Sequence, residues 1–207
     1  MRQDYNRIAG QSVERLAALS DGVFAVAMTL LVLDLKGPAA NLVHNEGELA
    51  QALMSVAPHL LVYFMSFLLL GIFWIGQQTQ LNHLARSDRD LAWIHLAFLF
   101  FVSLVPFTTS LVADYFDYRI PVGLYWLNIA ALGGVLYWAL CHSEKAQLVA
   151  EDFISGSSQA IRHRIIGAQI LYAIGAGLCF LDTKLSLGCI FLVQLYYALG
   201  LRRRHRA

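Results

Sequence analysis

The stretch RLAALSDGVFAVAMTLLVLDLK, Arg15 to Lys36, decides the fold of this chain. An Arg, a Ser and an Asp crowd its first turns, and a run of branched and small apolar residues follows. Its length and composition suit a membrane-spanning helix. Ionisable groups this close to hydrocarbon are costly, so they face protein or water and mark functional positions. The polar entrance of this helix is therefore the first place to look for what the protein does.

The remaining sequence repeats the apolar theme. Of 207 residues, 58% are hydrophobic and only 14% are charged. A soluble domain carries about a quarter charged residues. Apolar runs predict spans at about 16–36, 52–77, 91–112, 120–141, 165–181 and 185–201. Each reaches or approaches the roughly 20 residues needed to cross a ~30 Å hydrocarbon layer. The expectation is one all-α, six-helix membrane domain over 1–207, with no room for a soluble domain in the connections. Met1 to Glu14 is polar, with no small-residue cleavage site after a short apolar core, so the first span is expected to stay in the mature chain.

Charge sets an orientation. With the N-terminus in the cytoplasm, six spans return the C-terminus there. Arg2, Arg7, Arg15, Arg86, Arg89, Lys145, Arg162, Arg164, Arg202, Arg203, Arg204 and Arg206 then lie inside. Lys36, Arg119 and Lys184 lie outside, and twelve against three is a clear positive-inside bias. Glu46, Glu48, Asp114, Asp117 and Asp182 make the outer loops acidic, which either concentrates cations mildly or is plain solvation. Cys141, Cys179 and Cys189 fall in or beside apolar spans without metal-ligand spacing, and read as packing residues with neither disulfide nor metal.

Prolines and glycines punctuate the helices. Gly37-Pro38 ends the first, Pro58 marks a candidate kink near the outer start of the second, and Pro106 frees a carbonyl deep in the third, where Thr108, Thr109 and Ser110 offer hydroxyls. Ser155-Gly156-Ser157-Ser158 reads as a flexible break in a polar 142–164 loop, and Leu201 to Arg206 as a basic anchoring tail. There is no phosphate loop, HExxH, GxSxG, TVGYG-like filter or Arg-repeat voltage sensor, and no nucleic-acid-binding pattern.

At about 100° per residue, Leu19, Gly22, Val26, Leu30 and Leu33 share one stripe of the first helix, with Thr29 at its edge. Ser20 and Asp21 lie well off it. The stripe reads either as the seam of a core-facing helix or as a pore lining, in which repeated apolar residues form rings that gate ions by excluding water. Spacing does not choose between them. Asp21, off the stripe, should point toward packed neighbouring helices and away from the stripe's axis. Arg15 lies near the stripe, so it lines the cytoplasmic mouth, pairs with Asp21, or simply anchors the topology.

Arg15-x-x-x-Leu19-Ser20-Asp21 with the apolar run to Leu30 resembles the signature of the transmembrane-protein-175 family of potassium channels, Arg-x-x-x-Phe-Ser-Asp. Ser66-Phe67 and Trp74 in the second span and Pro106 to Ser110 in the third support the resemblance, which covers nearly the whole chain. Leu19 stands in place of the family's Phe, Gln77 in place of a His, and His95 at a position that is often Asn.

The resemblance implies a passive potassium-conducting cation channel without cofactor or enzyme activity, in the plasma (inner) membrane. It implies a homotetramer whose first helices line a central pore without a re-entrant filter loop. Val26 would form the constriction, with Leu30 and Leu33 as further rings and Thr29 beside them. Arg15, Ser20 and Asp21, with Trp74, Gln77 and His95, would hold the pore helix. The alternatives are a proton-linked secondary transporter using Asp21 and His95, and a membrane scaffold without flux.

Overall fold

The computed structural model describes residues 12–33, 35–38, 43–150 and 155–203. Arg2, Arg7, Arg204 and Arg206 lie outside them. Helix α1 spans Val13–Leu33, α2 Glu46–Leu81, α3 Arg89–Ser103, α4 Val105–Asp114, α5 Arg119–Lys145, α6 Ser155–Gly177 and α7 Thr183–Arg203, with a 3-10 turn at Leu178–Phe180. Six spans result, because α3 and α4 together form one, Arg89–Asp114. Among the described residues the only extended pairing is a single bridge between Leu84 and Val149. The chain is a multi-pass helical membrane protein.

Helix ends fall on capping residues, and so some helices outrun their apolar cores. Asn45 starts α2 six residues before the predicted edge: its side-chain oxygen accepts from Glu48 N at 2.9 Å, and its amide donates back to Glu48 Oε1 at 2.8 Å. The first bond satisfies the Glu48 N–H, one of the backbone donors that a helix start otherwise leaves open, and the second ties the two side chains together. Asp88 caps α3 through Leu91 N at 2.7 Å, and Asp182 caps α7 through Leu185 N at 2.9 Å. Helix α1 ends at Leu33, short of the expected Lys36. The Ser155 to Ser158 segment, expected as a flexible break, instead opens α6. Serine is a favourable residue at a helix start, and this start is tied down: Ser158 bonds Glu144, whose other oxygen pairs with Arg162 Nη2 at 2.6 Å.

Of the two prolines expected to disturb a span, only Pro106 does so. Helix α2 continues through Pro58 without interruption. At Pro106 the third span breaks, and Leu104 joins α3 to α4. The Leu104 N–H turns back to the carbonyls of Phe101 and Val102. Thr108 Oγ1 reaches the Val105 carbonyl at 3.1 Å, and Thr109 Oγ1 lies 2.7 Å from both that carbonyl and Ser66 Oγ. Ser66 Oγ is 3.2 Å from the Tyr125 hydroxyl, to which Gln194 Nε2 donates at 3.4 Å. Four helices are thus joined by one buried polar chain, which gives the Thr109, Ser66 and Tyr125 hydroxyls partners inside the bundle.

The core lies between these helices. Phe24 of α1, Phe73 of α2 and Phe98 of α3 meet there, with ring centroids 6.0 and 6.2 Å apart. Helix α1 packs on α2, α3 and α4, while α6 and α7 close the other flank against α5 and α2. At the end opposite the α1 C-terminus, the α2–α3 and α5–α6 links clasp each other: Ala85 N donates to Leu148 O at 2.9 Å and Ala150 N to His83 O at 3.0 Å. Gln147, at φ 53°, makes the left-handed turn that aims the second strand of chain at the first. The three cysteines are free.

Candidate functional site

Helix α1 has two unlike faces. Ser20, Phe24, Ala27 and Leu31 recur at helical spacing and are at most 2% exposed. These residues touch the rest of the protomer. The other face carries the stripe: Leu19, Val26, Leu30 and Leu33 are exposed, Val26 by 57% and Leu33 by 70%. Gly22 and Thr29 are exposed as well. The stripe is therefore not the seam on which this helix packs into its own chain. The core-facing seam lies on the far side, where Phe24 meets Phe98.

Polar residues fix the rotation that separates these faces. Asp21 Oδ1 accepts from Trp74 Nε1 at 2.8 Å and from Gln78 Nε2 at 2.7 Å. Ser20 Oγ donates to the Leu16 carbonyl at 2.8 Å and accepts from Gln77 Nε2 at 2.8 Å. The same Gln77 amide nitrogen lies 3.3 Å from His95 Nδ1. With the amide donating, Nδ1 accepts and the ring proton sits on Nε2, a tautomer assigned from the network. Ser20, Gln77 and His95 are buried, whereas Asp21 and Trp74 sit at the exposed edge. Interhelical hydrogen bonds in membranes are worth about 0.6 to 2 kcal/mol each. Three of them between α1 and α2, in addition to the Phe24 contacts, hold α1 against rotation and sliding.

The structure thus brings together Ser20, Asp21, Trp74, Gln77 and His95, but as two branches. Asp21 binds Trp74 and Gln78; Ser20 binds Gln77, which reaches His95. No hydrogen bond joins Asp21 to His95 or to Gln77, among the described residues. Arg15 is exposed and forms no ion pair with Asp21, among the described residues. Gln78 was absent from the expected set. Its signal was present: Trp74 and Gln78 are four residues apart, so they share a face of α2, and Gln77 belongs to the next face round. Gln77 Oε1 is buried with no hydrogen-bond partner among the described residues. Thr29 is not free to act as a donor, because its hydroxyl donates to the Val26 carbonyl at 2.9 Å. No group of three or more His, Cys, Asp or Glu that could hold a metal occurs among the described residues.

Fold and site together define a multi-pass helical membrane protein in which polar side chains lock the first span while its apolar stripe stays outside the chain's own core. Known proteins are similar to this chain. A family model described as endosomal/lysosomal potassium channel TMEM175 matches residues 15–106. A protein of Streptomyces collinus named a potassium channel is 33% identical over 190 residues, 88% of this chain and 90% of that one. A second so named, from Chamaesiphon minutus, is 31% identical over 89% of this chain and 93% of its own. The human protein named endosomal/lysosomal proton channel TMEM175 is 27% identical over 89% of this chain, which spans 39% of its length. A crystal structure described as a lysosomal potassium-selective channel TMEM175 homolog from Chamaesiphon minutus superposes with a TM-score of 0.80, at 29% identity, covering 94% of this chain and 98% of that one. The chain belongs to the TMEM175 family, whose members are ion channels and not enzymes.

Proposed function

We propose that this chain is a potassium-conducting cation channel, assembled as a homotetramer around a central pore that α1 lines. The observation that carries the reading is the exposure of Val26, Leu30 and Leu33 on a helix whose opposite face is locked to α2. Four copies of such a stripe, turned toward a common axis, stack apolar rings about 6 and 4.5 Å apart along the helix rise. Narrow apolar rings exclude water and so gate ion flow. The Thr29 hydroxyl stands beside them with lone pairs to offer. Arg15, on the same side of α1 and about 16 Å below Val26 by helix rise, lines the inner mouth. Ser20, Asp21, Trp74, Gln77, Gln78 and His95 position the pore helix and make no contact with the ion.

The bacterial relatives named potassium channels support potassium as the permeant ion. The charge bias supports a plasma (inner) membrane protein with both termini in the cytoplasm. A carrier working through Asp21 and His95 has less support, since the two belong to separate branches of the network. The direct experiment is the reversal potential of the purified protein in a planar bilayer, with potassium on one side and sodium on the other. The expected current reverses well toward the potassium equilibrium value. Reversal near zero after leak correction would reject potassium selectivity, and the repeated absence of current would favour a carrier or a scaffold.

A further inference from the structure

We propose that a groove on the flank of the bundle, between α2, α5, α6 and α7, binds one anionic phospholipid per chain, with the phosphate at Arg164 and an acyl chain along the groove. The groove measures about 650 Å³, and no residue of α1, α3 or α4 lines it, so it is separate from the pore stripe. Ile72, Ile75, Leu136 and Ile165 supply apolar walls, while Arg164 and His163 stand at its rim. Among the described residues no carboxylate lines it. The Arg164 guanidinium lies over the Tyr197 ring, 5.5 Å from its centroid, which holds a cation at this rim.

A second observation lies deeper. Tyr172 lines the groove, and its hydroxyl is buried without a hydrogen-bond partner among the described residues. Arg164 and Tyr172 are separated by about 12 Å of helix rise. Both residues line the same groove, on the one helix. A phospholipid seated here matches all three features: its chain meets the walls, its phosphate the guanidinium, and a glycerol ester carbonyl the unpartnered hydroxyl. Two neutral features of the site agree with a shaped groove. Gln169 lies over Gly133 so closely that a Cβ there would stand 1.8 Å from its amide nitrogen, and a Cβ on Gly200 at the other edge would meet nothing within 4 Å.

Native mass spectrometry of the purified full chain in mild detergent, with phosphatidylglycerol or phosphatidylcholine of the same acyl chains, tests this. The expected result is one phosphatidylglycerol retained per chain, several-fold in preference to phosphatidylcholine. Arg164→Gln should abolish the preference, Tyr172→Phe should lower retention several-fold, and Gly200→Trp, which fills the groove, should remove both lipids. Arg164 is an exposed side chain, so its variant carries the test even if a groove variant fails to fold. Equal retention of both lipids, or retention unchanged in Arg164→Gln, would overturn the proposal. So would a Gly200→Trp chain that loses its oligomeric size, because a second copy would then be the occupant.

Discussion

Along α1, Phe24, Ala27 and Leu31 are shut inside the protomer, while Val26, Leu30 and Leu33, a few positions round the same helix, stay open. The two faces are about equally apolar. In a bilayer apolarity does not distinguish inside from outside, because lipid is as apolar as a core. What separates the faces is shape and polarity at specific points. Phe24 finds Phe98, which also meets Phe73, and Ser20 and Asp21 find Gln77, Trp74 and Gln78. The rotation set by these contacts leaves the other face for a different partner.

The largest expected break comes from the buried face. Phe24→Ala opens a cavity beside Phe98 and should cost roughly 3 kcal/mol. Thermal unfolding of the purified protein, followed by circular dichroism, should shift strongly. Leu30→Ala, on the open face, should leave that midpoint nearly unchanged, and comparable losses in both would mean that the faces are not distinct.

A smaller effect is expected at the lock. Asp21→Ala leaves the Trp74 and Gln78 donors without their shared acceptor, which should cost about 0.6–2 kcal/mol, the worth of an interhelical hydrogen bond in a membrane. Its signature is loss of assembled protein on size-exclusion chromatography. Asp21→Asn keeps one acceptor oxygen and should be milder. An assembled Asp21→Ala protein with altered ion selectivity would instead make Asp21 a pore group.

The smallest change in stability belongs to Val26→Asn, within about 0.5 kcal/mol as for other exposed positions. Its effect should appear in the current, as raised conductance and weakened closure of single channels. Unchanged conductance and selectivity would remove Val26 as the constriction.

Much of this was legible in the sequence. The six spans follow from six apolar runs, and the carbonyl freed near Pro106 from the loss of one backbone donor, whereas the full split of the third span there was not expected. The polar entrance of α1 was visible because Ser20 and Asp21 stand out against hydrocarbon. The burial of α1 was not legible, since Leu31 and Leu30 carry the same side chain and only tertiary contacts distinguish them. Gln78 was passed over in favour of Gln77, although its spacing from Trp74 placed it on the Asp21 side. The Ser155 to Ser158 segment misled because serine and glycine mark loops as well as helix starts, and the ties to Glu144 that decide the matter come from another helix. The clasp between Ala85 and Leu148 had no local signal, as it joins two links distant in the chain.

The central claim is that the open face of α1 meets the permeating ion. It is tested most directly by cysteine modification during single-channel recording, after Cys141, Cys179 and Cys189 are replaced by alanine. Leu33→Cys places a thiol on the open face near the outer end of α1, and Leu31→Cys places one on the buried face two residues away. A small thiol-reactive cation added from the outer side should reduce the Leu33→Cys current irreversibly and leave the Leu31→Cys current unchanged. Equal sensitivity of the two, or a Leu33→Cys current that the reagent does not alter, would contradict the account.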